Sequence, residues 1–235
     1  MLVFATEPGS LGVSEIARRL DLSKAVVHRI LRSLASRNLV AFDGGTRGYS
    51  LGPAAAAIGA RALRDRQLRR LALPVLRRLQ HETGETTTVS ELVGTARVYL
   101  DQIPSLEEIK MTVELGRPFP LHAGASSKAI LAFAQFELRR LVLAGPLVAL
   151  TPNTITERLK LEEELLRTEQ LGTAVSFGER QPGAASVAAP VCGLDGHAIG
   201  AISACGPVDR FGEEEVESLR PLVKSAAQEV SDKVR

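Results

Sequence analysis

Residues 11–37, LGVSEIARRLDLSKAVVHRILRSLASR, decide the fold of the N-terminal part of the chain. Ser14 occupies an N-cap position, and the apolar residues after it recur at helical spacing, which predicts a helix over 14–20. Ser23 is a second N-cap candidate, ahead of another apolar stripe. The members of that stripe are Val27, Ile30, Leu31 and Leu34. The stretch therefore predicts two short amphipathic helices joined by a tight turn.

The second helix carries a basic face away from its apolar stripe. This face consists of Lys24, His28, Arg29 and Arg32. Such a helix fits the DNA major groove, because its N-terminal amides favour phosphate and its Arg and His side chains can donate to base edges. The simpler alternative is a small helical pair with a solvated basic face.

A hairpin is predicted directly after these helices. Residues 38–42 and 48–51 have strand character, and DGGTR at 43–47 is a glycine-rich turn between them. This arrangement is the winged form of the helix-turn-helix, in which Arg47 in the loop is expected to reach the DNA backbone or minor groove. The motif is predicted over residues 1–52. Residues 1–6 are too short for the usual supporting helix, so either that helix is a stub or the chain begins late.

Length and charge indicate two domains with different partners. The chain has 235 residues and is 45% hydrophobic, enough for two cores. Its net charge of +2 hides an asymmetry, because residues 1–70 hold 12 Lys+Arg against 5 Asp+Glu, while the rest hold 17 against 22. A basic module fused to a mildly acidic one is typical of DNA binding at one end only.

The remaining composition argues against several other classes of protein. Cys192 and Cys205 lie in apolar runs far from any His-Cys cluster, so we expect buried free thiols and neither a metal nor a cofactor. No run of about 18 apolar residues and no signal peptide is found, which predicts a cytoplasmic protein without membrane contact.

The larger second part is predicted to be an α+β domain over residues 71–235, joined to the first by a linker helix over 53–70. Pro74 is expected to interrupt and restart the helical pattern. Period-two patterns predict strands over 86–92, 97–103, 109–113, 174–177, 186–192 and 198–205. Helices are predicted over 127–134, 137–143, 157–170 and 213–230. These elements predict one mostly antiparallel sheet with helices packed against it. The glutamate run at 162–164 is predicted to form a solvated helix face.

The most unusual stretch of this domain is PLHAGASSKAI at 120–130. Small residues precede a helix predicted to begin near Lys128, so free backbone N–H groups converge there and form a cradle for an anion or a carboxylate. A second interpretation makes Ser126 a nucleophile with His122 as its base. No carboxylate in the sequence is placed to orient His122, so we expect that histidine to be a hydrogen-bonded structural residue.

Several segments together resemble the IclR family of bacterial transcription regulators, over essentially the whole chain except a shortened start. They are SEIARRLDLSKAVVHRILRSL at 14–34, RGYSLGP at 47–53, GRPFPLHAGASSKAILAF at 116–133, SVAAPVCGLDG at 186–196 and AISACGP at 201–207. The resemblance implies a dimer or tetramer that binds a palindromic operator. It also implies a GAF-like C-terminal domain that binds a small effector, often an organic or aromatic acid or a catabolic intermediate.

The resemblance also implies which residues form the two sites. The DNA contacts would be Ser23, Lys24, Ala25, Val26, His28, Arg29, Arg32 and Arg47. The near wall of the effector pocket would be Met111, Phe119, Ala125 and Ser126. The far wall would be Ser176, Glu179, Ser186, Ser203 and Cys205.

This chain departs from the family pattern at positions that affect both sites. Ala25 and Val26 replace a usual Ser-Thr pair; they can touch thymine methyl groups but cannot donate hydrogen bonds. Ser186 stands where Cys is common and Cys205 where Ser is common, which changes the polar atoms of the pocket.

The sequence therefore predicts a ligand-responsive DNA-binding regulator, and two alternatives remain open. One is a hydrolase or transferase that uses the loop with Ser126 and His122. The other is a DNA-binding protein whose second domain only dimerises and has no pocket.

Overall fold

The computed structural model describes residues 1–4 and 9–234. They fall into two compact units, Met1–Asp65 and Arg66–Arg235. The helices and strands of the first unit are α1 (Val13–Leu20), α2 (Lys24–Ala35), β1 (Val40–Asp43), β2 (Gly48–Leu51) and α3 (Pro53–Arg64). The two predicted helices and the hairpin are therefore present in the predicted order.

The two N-caps of the helix pair differ from each other. Ser23 caps α2 as predicted, because its hydroxyl accepts a hydrogen bond from the Val26 N–H at 3.3 Å. The prediction of Ser14 as the cap of α1 is wrong, since Gly12 is the N-cap and Ser14 lies inside the first turn. The backbone of Gly12 supplies the first acceptors of α1, so no side-chain cap is made there.

The core of this unit combines both helices with the hairpin. Val27 and Leu31 of α2 are buried, whereas Ile30 is 45% exposed, so its predicted place in the buried stripe is wrong. Leu11 and Tyr49 exchange two backbone hydrogen bonds, which fasten the chain before α1 to β2. A short 3-10 turn spans Leu2–Phe4. The rest of the predicted stub, at residues 5 and 6, lies outside the described residues.

The predicted linker helix over 53–70 is not continuous. The helix α3 ends at Arg64, where Asp65 follows as C-cap and pairs with the Arg61 guanidinium at 2.7 Å. Within the second unit, α4 (Gln67–Thr83) runs through Pro74, so the predicted interruption is wrong. Buried Ala72, Val75 and Leu76 flank that proline, and their packing outweighs the lost backbone hydrogen bond.

The second unit contains one six-stranded antiparallel sheet. Its strands are β3 (Thr86–Val93), β4 (Ala96–Ile103), β5 (Pro118–Pro120), β6 (Ala174–Phe177), β7 (Ala184–Cys192) and β8 (Ala198–Pro207), in the spatial order β5-β4-β3-β8-β7-β6. The further helices are α5 (Ala125–Ala132), α6 (Phe136–Ala144), α7 (Arg158–Leu171) and α8 (Glu213–Val234). The predicted α+β class is confirmed.

The strand predicted over 109–113 is wrong. These residues form no ladder and are held to β4 by the Gln102 side chain, which donates to the Val113 carbonyl at 3.0 Å and accepts from the Val113 N–H at 2.8 Å. A side-chain amide thus replaces strand pairing. The edge strand that pairs with β4 is β5, which comes after this segment.

The helices cover both faces of the sheet. The helix α8 packs on β7 and on α4, and α4 packs on β3 and β4. The helix α5 packs on β7 and β8 with α7 beside it. All eight residues of α5 are buried, so the start of this helix is fixed above the sheet.

Candidate functional site

The basic face of α2 is open to solvent. Its side chains Lys24, His28, Arg29 and Arg32 are exposed, and so are Ser23 and Ala25, while Val26 is half-buried. Within residues 1–4 and 9–234, no carboxylate lies within 4.0 Å of the charged groups of Lys24, Arg29 or Arg32. Their positive charges are therefore available to an anionic partner such as a DNA backbone.

The hairpin loop between β1 and β2 is held in one conformation by Asp43. Its carboxylate accepts hydrogen bonds from the Gly45 N–H at 2.9 Å and from the Thr46 hydroxyl at 2.8 Å. These bonds, that of Thr46 first, lower the pKa of Asp43 below its usual value. Arg47 follows in the left-handed region, with φ of 52°, and its side chain is exposed. The loop therefore presents Arg47 on a fixed support.

A small cavity lies between α5 and the sheet, and its floor is a row of cross-strand neighbours. Ser176 pairs with Ser186, and Ser186 pairs with Cys205. Cys205 pairs in turn with Thr86, while Ser203 hydrogen-bonds Thr88 at 2.7 Å. Burial raises the pKa of the Cys205 thiol to about 12, so it is a neutral thiol at physiological pH. The floor is thus uncharged and rich in hydroxyls.

The other walls come from the start of α5 and from the irregular segment after β4. Gly124, Ala125 and Ser126 face the cavity from α5, and Met111 and Val113 cover it. The cavity volume is about 30 Å³, which is the space of one water molecule and far below the several hundred Å³ typical of ligand sites.

Seven of the nine residues expected at the effector pocket line this cavity: Met111, Ala125, Ser126, Ser176, Ser186, Ser203 and Cys205. The structure does not bring the other two into its wall. Phe119 packs edge-on against Tyr99, with ring centres 5.5 Å apart, and Glu179 lines a different cleft.

Glu179 occupies part of the predicted anion cradle. One carboxylate oxygen accepts the Gly124 N–H at 2.9 Å, and the other accepts from the Lys128 ammonium at 2.6 Å. Lys128 also donates to Glu164 at 2.9 Å. The predicted solvated role of the 162–164 run is therefore wrong for Glu164, because α7 turns this residue toward the buried lysine.

The helix α5 begins three residues earlier than the helix start near Lys128 that the sequence suggested. Its first amides belong to Ala125 and Ser126, and neither donates a hydrogen bond to an acceptor among the described residues. Both residues face the cavity. The cradle therefore still has free donors and the positive end of a helix dipole on its cavity side.

Sequence reasoning missed a buried arginine, Arg97, in the cavity wall. Its guanidinium donates to the hydroxyls of Ser127 at 2.7 Å, Ser90 at 3.2 Å and Tyr99 at 3.0 Å. Arg97 is 1% exposed, and burial lowers its pKa, with the nearby charge of Arg180 acting in the same direction. The alternation of β4 put Arg97 on the same face as Tyr99, but nothing in the sequence showed that this face is covered.

A second arginine, Arg180, was also missed and lines the same cavity. Its guanidinium carbon lies 4.9 Å from the centre of the Phe119 ring and 5.7 Å from that of Tyr99. No acceptor in the described part of the chain takes a hydrogen bond from it, and no described carboxylate pairs with it.

His122 is a buried structural residue, as predicted. Its Nε2 lies 2.9 Å from the Val148 carbonyl oxygen. That nitrogen is engaged by the backbone and is not hydrogen-bonded to Ser126. The geometry gives no base for Ser126 as a nucleophile.

A larger and more open cleft of about 420 Å³ lies among α7, β6 and α8. Lys128, Glu164 and Glu179 line it, and of the nine predicted effector residues only Glu179 does so. Part of its charge pairs within the protein, since Lys128 is held by both glutamates and Arg220 by Glu217, whereas Arg167 and Glu213 have no ion pair among the described residues.

A helix-turn-helix with a free basic face, followed by a wing and by a second unit with an enclosed polar cavity, defines the class of DNA-binding regulators with a separate ligand domain. Residues 1–44 match the IclR helix-turn-helix domain, and residues 60–232 match the bacterial transcriptional regulator IclR C-terminal domain. The chain therefore belongs to the IclR family of transcription regulators.

Individual relatives agree with this assignment. The chain is 36% identical to the HTH-type transcriptional regulator BhcR of Paracoccus denitrificans, over 94% of this chain and 80% of that protein. An IclR transcriptional regulator from Alicyclobacillus acidocaldarius has a similar structure, with a TM-score of 0.82, 30% identity, and 96% and 91% of the two chains covered.

A further solved relative carries a ligand. It is an IclR homologue from Microbacterium hydrocarbonoxydans complexed with 4-hydroxybenzoate, with a TM-score of 0.76, 25% identity, and 100% and 96% of the two chains covered. Across the described residues of the present chain, no helix has the length and apolar composition needed to cross a bilayer.

Proposed function

We propose that this chain is a metabolite-responsive regulator whose effector is a small organic acid bound between α5 and strands β6 to β8. The observation that carries the proposal is the cavity at the start of α5. Ala125 and Ser126, whose amides are free, line it together with Ser176, Ser186 and Ser203. Helix N-termini with free amides favour anions, and carboxylates are the commonest organic anions among metabolites. The 4-hydroxybenzoate bound by the Microbacterium relative is an organic acid, which supports the same class of ligand here.

Binding of such an acid requires the cavity to grow. The segment after β4 is the part of the wall that can move, because Met111 and Val113 lie outside any regular element and the main tie of Val113 is the Gln102 side chain. The strands and α5 are held by many backbone bonds and stay fixed. We therefore propose that Met111 and Val113 shift outward when the acid enters.

The DNA contacts proposed are those of α2 and the wing: Ser23, Lys24, Ala25, Val26, His28, Arg29, Arg32 and Arg47. Two copies would read a palindromic operator, because two-fold symmetric dimers bind two matching half-sites. None of the residues of α3 is buried within one chain, and Ile58 on it is 62% exposed. This apolar helix supports a homodimer or homotetramer. As a bacterial DNA regulator the protein would act in the cytoplasm and would not be an enzyme.

The test of the proposed function starts with operator DNA selected by this protein from a random-sequence pool. Binding is followed by fluorescence anisotropy. Arg29→Ala should bind about 5-fold to 150-fold more weakly, because the loss of one base or phosphate contact costs about 1 to 3 kcal/mol. Arg140→Ala, on α6 of the second unit and already paired with Glu137 at 2.9 Å, is the matched control and should bind as the unaltered protein does.

Two results would count against this function. Unchanged operator binding by Arg29→Ala would exclude α2 as the groove helix. Absence of any thermal stabilisation by a panel of mono- and dicarboxylic acids would exclude an organic acid as the effector, because a ligand at 100 times its Kd adds about 2.7 kcal/mol to stability.

A further inference from the structure

We propose that the effector is a small dicarboxylate, with one carboxylate held by Arg97 and the start of α5 and the other by Arg180. This inference rests on the proposed function and names the ligand class of the same cavity. It depends on two arginines that the family resemblance did not supply.

Arg97 is a buried charge without a counter-ion. Its three hydrogen-bond partners, Ser90, Tyr99 and Ser127, are neutral hydroxyls. No carboxylate in residues 9–234 lies within 4.0 Å of it. A guanidinium has five N–H donors, so two remain free. Buried charges in proteins are normally paired, so a ligand with a carboxylate would supply the missing partner.

Arg180 offers the second free cation beside the first. The two guanidinium carbons lie 4.3 Å (Arg97) and 5.7 Å (Arg180) from the centre of the same Tyr99 ring. A Cβ placed on Gly124 would be 3.9 Å from Nη2 of Arg97 and 3.8 Å from Cβ of Arg180. Both residues thus converge on Gly124 at the start of α5. The charge of Arg180 also lowers the pKa of Arg97, so the two like charges repel each other unless an anion lies between them.

The number of free charges sets the ligand class. A monocarboxylate can neutralise one arginine and leaves the other unpaired, whereas a dicarboxylate can pair with both. Glu179, the nearest acid in sequence, does not fill this role because Lys128 and Gly124 hold its carboxylate. A phosphate carries its charge on one centre and cannot give each arginine a carboxylate of its own. Arg117, the third arginine near Phe119, is already paired with Glu114 at 3.0 Å and needs no ligand.

The experiment compares matched ligands on the full-length protein by isothermal titration calorimetry at constant ionic strength. Malonate and succinate are the dicarboxylates, and malonamate and succinamate are their monoamides, which keep the size and lose one charge. At least one dicarboxylate should bind about 10-fold to 100-fold more tightly than its monoamide, since a hydrogen bond to a charged group contributes about 1.5 to 3 kcal/mol. Inorganic phosphate should bind more weakly than that dicarboxylate.

Variants connect this preference to the two arginines. Arg180→Gln should lower dicarboxylate affinity to the level of the monoamide and change monoamide affinity less than threefold. Arg117→Gln is the matched control and should leave both affinities within about twofold. Arg97→Met should abolish binding of both ligands. Arg180 is only half-buried, so Arg180→Gln is expected to fold. This variant therefore tests the proposal even if Arg97→Met does not fold.

The possible failures are distinguishable. Monoamides or other monocarboxylates that bind as tightly as dicarboxylates, or unchanged dicarboxylate affinity in Arg180→Gln, would overturn this inference and leave the proposed function standing. Phosphate that binds as tightly as the dicarboxylates would also overturn it. If no carboxylate binds at all, the organic-acid part of the proposed function fails with it.

Discussion

Lys128 shows how one residue can organise the inside of the second unit. Lys128 is 1% exposed, and its ammonium is held by Glu179 from the loop after β6 and by Glu164 from α7. The Glu179 carboxylate also takes the first amide before α5. Three segments of the chain, namely α5 with its N-cap, the loop after β6 and α7, therefore meet through three charged side chains. Removal of the cation would leave a buried carboxylate without a counter-charge.

We expect Lys128→Met to destabilise the second unit by about 3 to 5 kcal/mol, because it leaves Glu179 buried and unpaired. The matched control is Lys160→Met, since Lys160 pairs with Glu157 at 2.6 Å on the surface, where both side chains are 65% exposed. That change should cost less than about 1 kcal/mol. Urea unfolding followed by far-UV circular dichroism measures both. Similar small losses in the two variants would show that the buried cluster contributes little to stability.

At the residue level, the sequence predicted surface charges better than buried ones. The exposure of Lys24, Arg29 and Arg32 follows from their place opposite an apolar stripe. The burial of Arg97, Lys128 and Glu164 depends on which elements pack over them, and that information is spread over distant parts of the chain. Hydrophobic patterning treats every charge as a surface residue, so it misses these three.

Elements were predicted well where a periodic pattern and a turn signal agree. The strand Ala174–Phe177 and the start of β8 at Ala198 lie where the alternation placed them. The segment 109–113 has the same alternation, but its pairing partner is occupied by a side-chain amide from Gln102. Pro74 shows the opposite case, in which local chemistry predicts a break and buried neighbours keep the helix whole.

The junction between the hairpin and α3 depends on one glycine. A Cβ on Gly52 would overlap the carbonyl oxygen of Asn38, a backbone atom that cannot turn away. Gly59, inside α3, has no atom within 4 Å of its Cβ position. Gly52 therefore has no room for a side chain, whereas Gly59 does.

We predict that Gly52→Ala lowers the free energy of unfolding of the first unit by about 3 kcal/mol. The added methyl group would overlap a fixed backbone atom, and such overpacking is strongly destabilising. Gly59→Ala should stabilise α3 by about 0.5 to 1 kcal/mol, because alanine favours a helix. Amide hydrogen exchange of peptides from residues 9–65 resolves both effects from the second unit. Equal protection in Gly52→Ala and the unaltered protein would contradict the close contact with Asn38.

Positive and negative charges are distributed unequally along the whole chain. The first 70 residues are strongly basic and carry the exposed α2 face, while the remainder is mildly acidic overall. Within the acidic part, the buried Arg97 and the half-buried Arg180 line one cavity, and neither pairs with a described carboxylate. We propose that an anion of metabolite size binds in the second unit and that the polyanion DNA binds the first. The two-domain organisation could be predicted from composition and motif order, whereas the identity of the acid depends on side chains that only the fold brings together.

The central claim is that an acid bound in the cavity of the second unit changes the affinity of the first unit for DNA. The most direct measurement is a pair of titrations: operator binding with and without saturating dicarboxylate, and dicarboxylate binding with and without saturating operator. Linkage requires the same factor in both, and typical coupling of about 1 to 3 kcal/mol predicts a 5-fold to 150-fold change. An acid that binds tightly in the cavity while operator affinity stays the same, in either order of addition, would contradict the account.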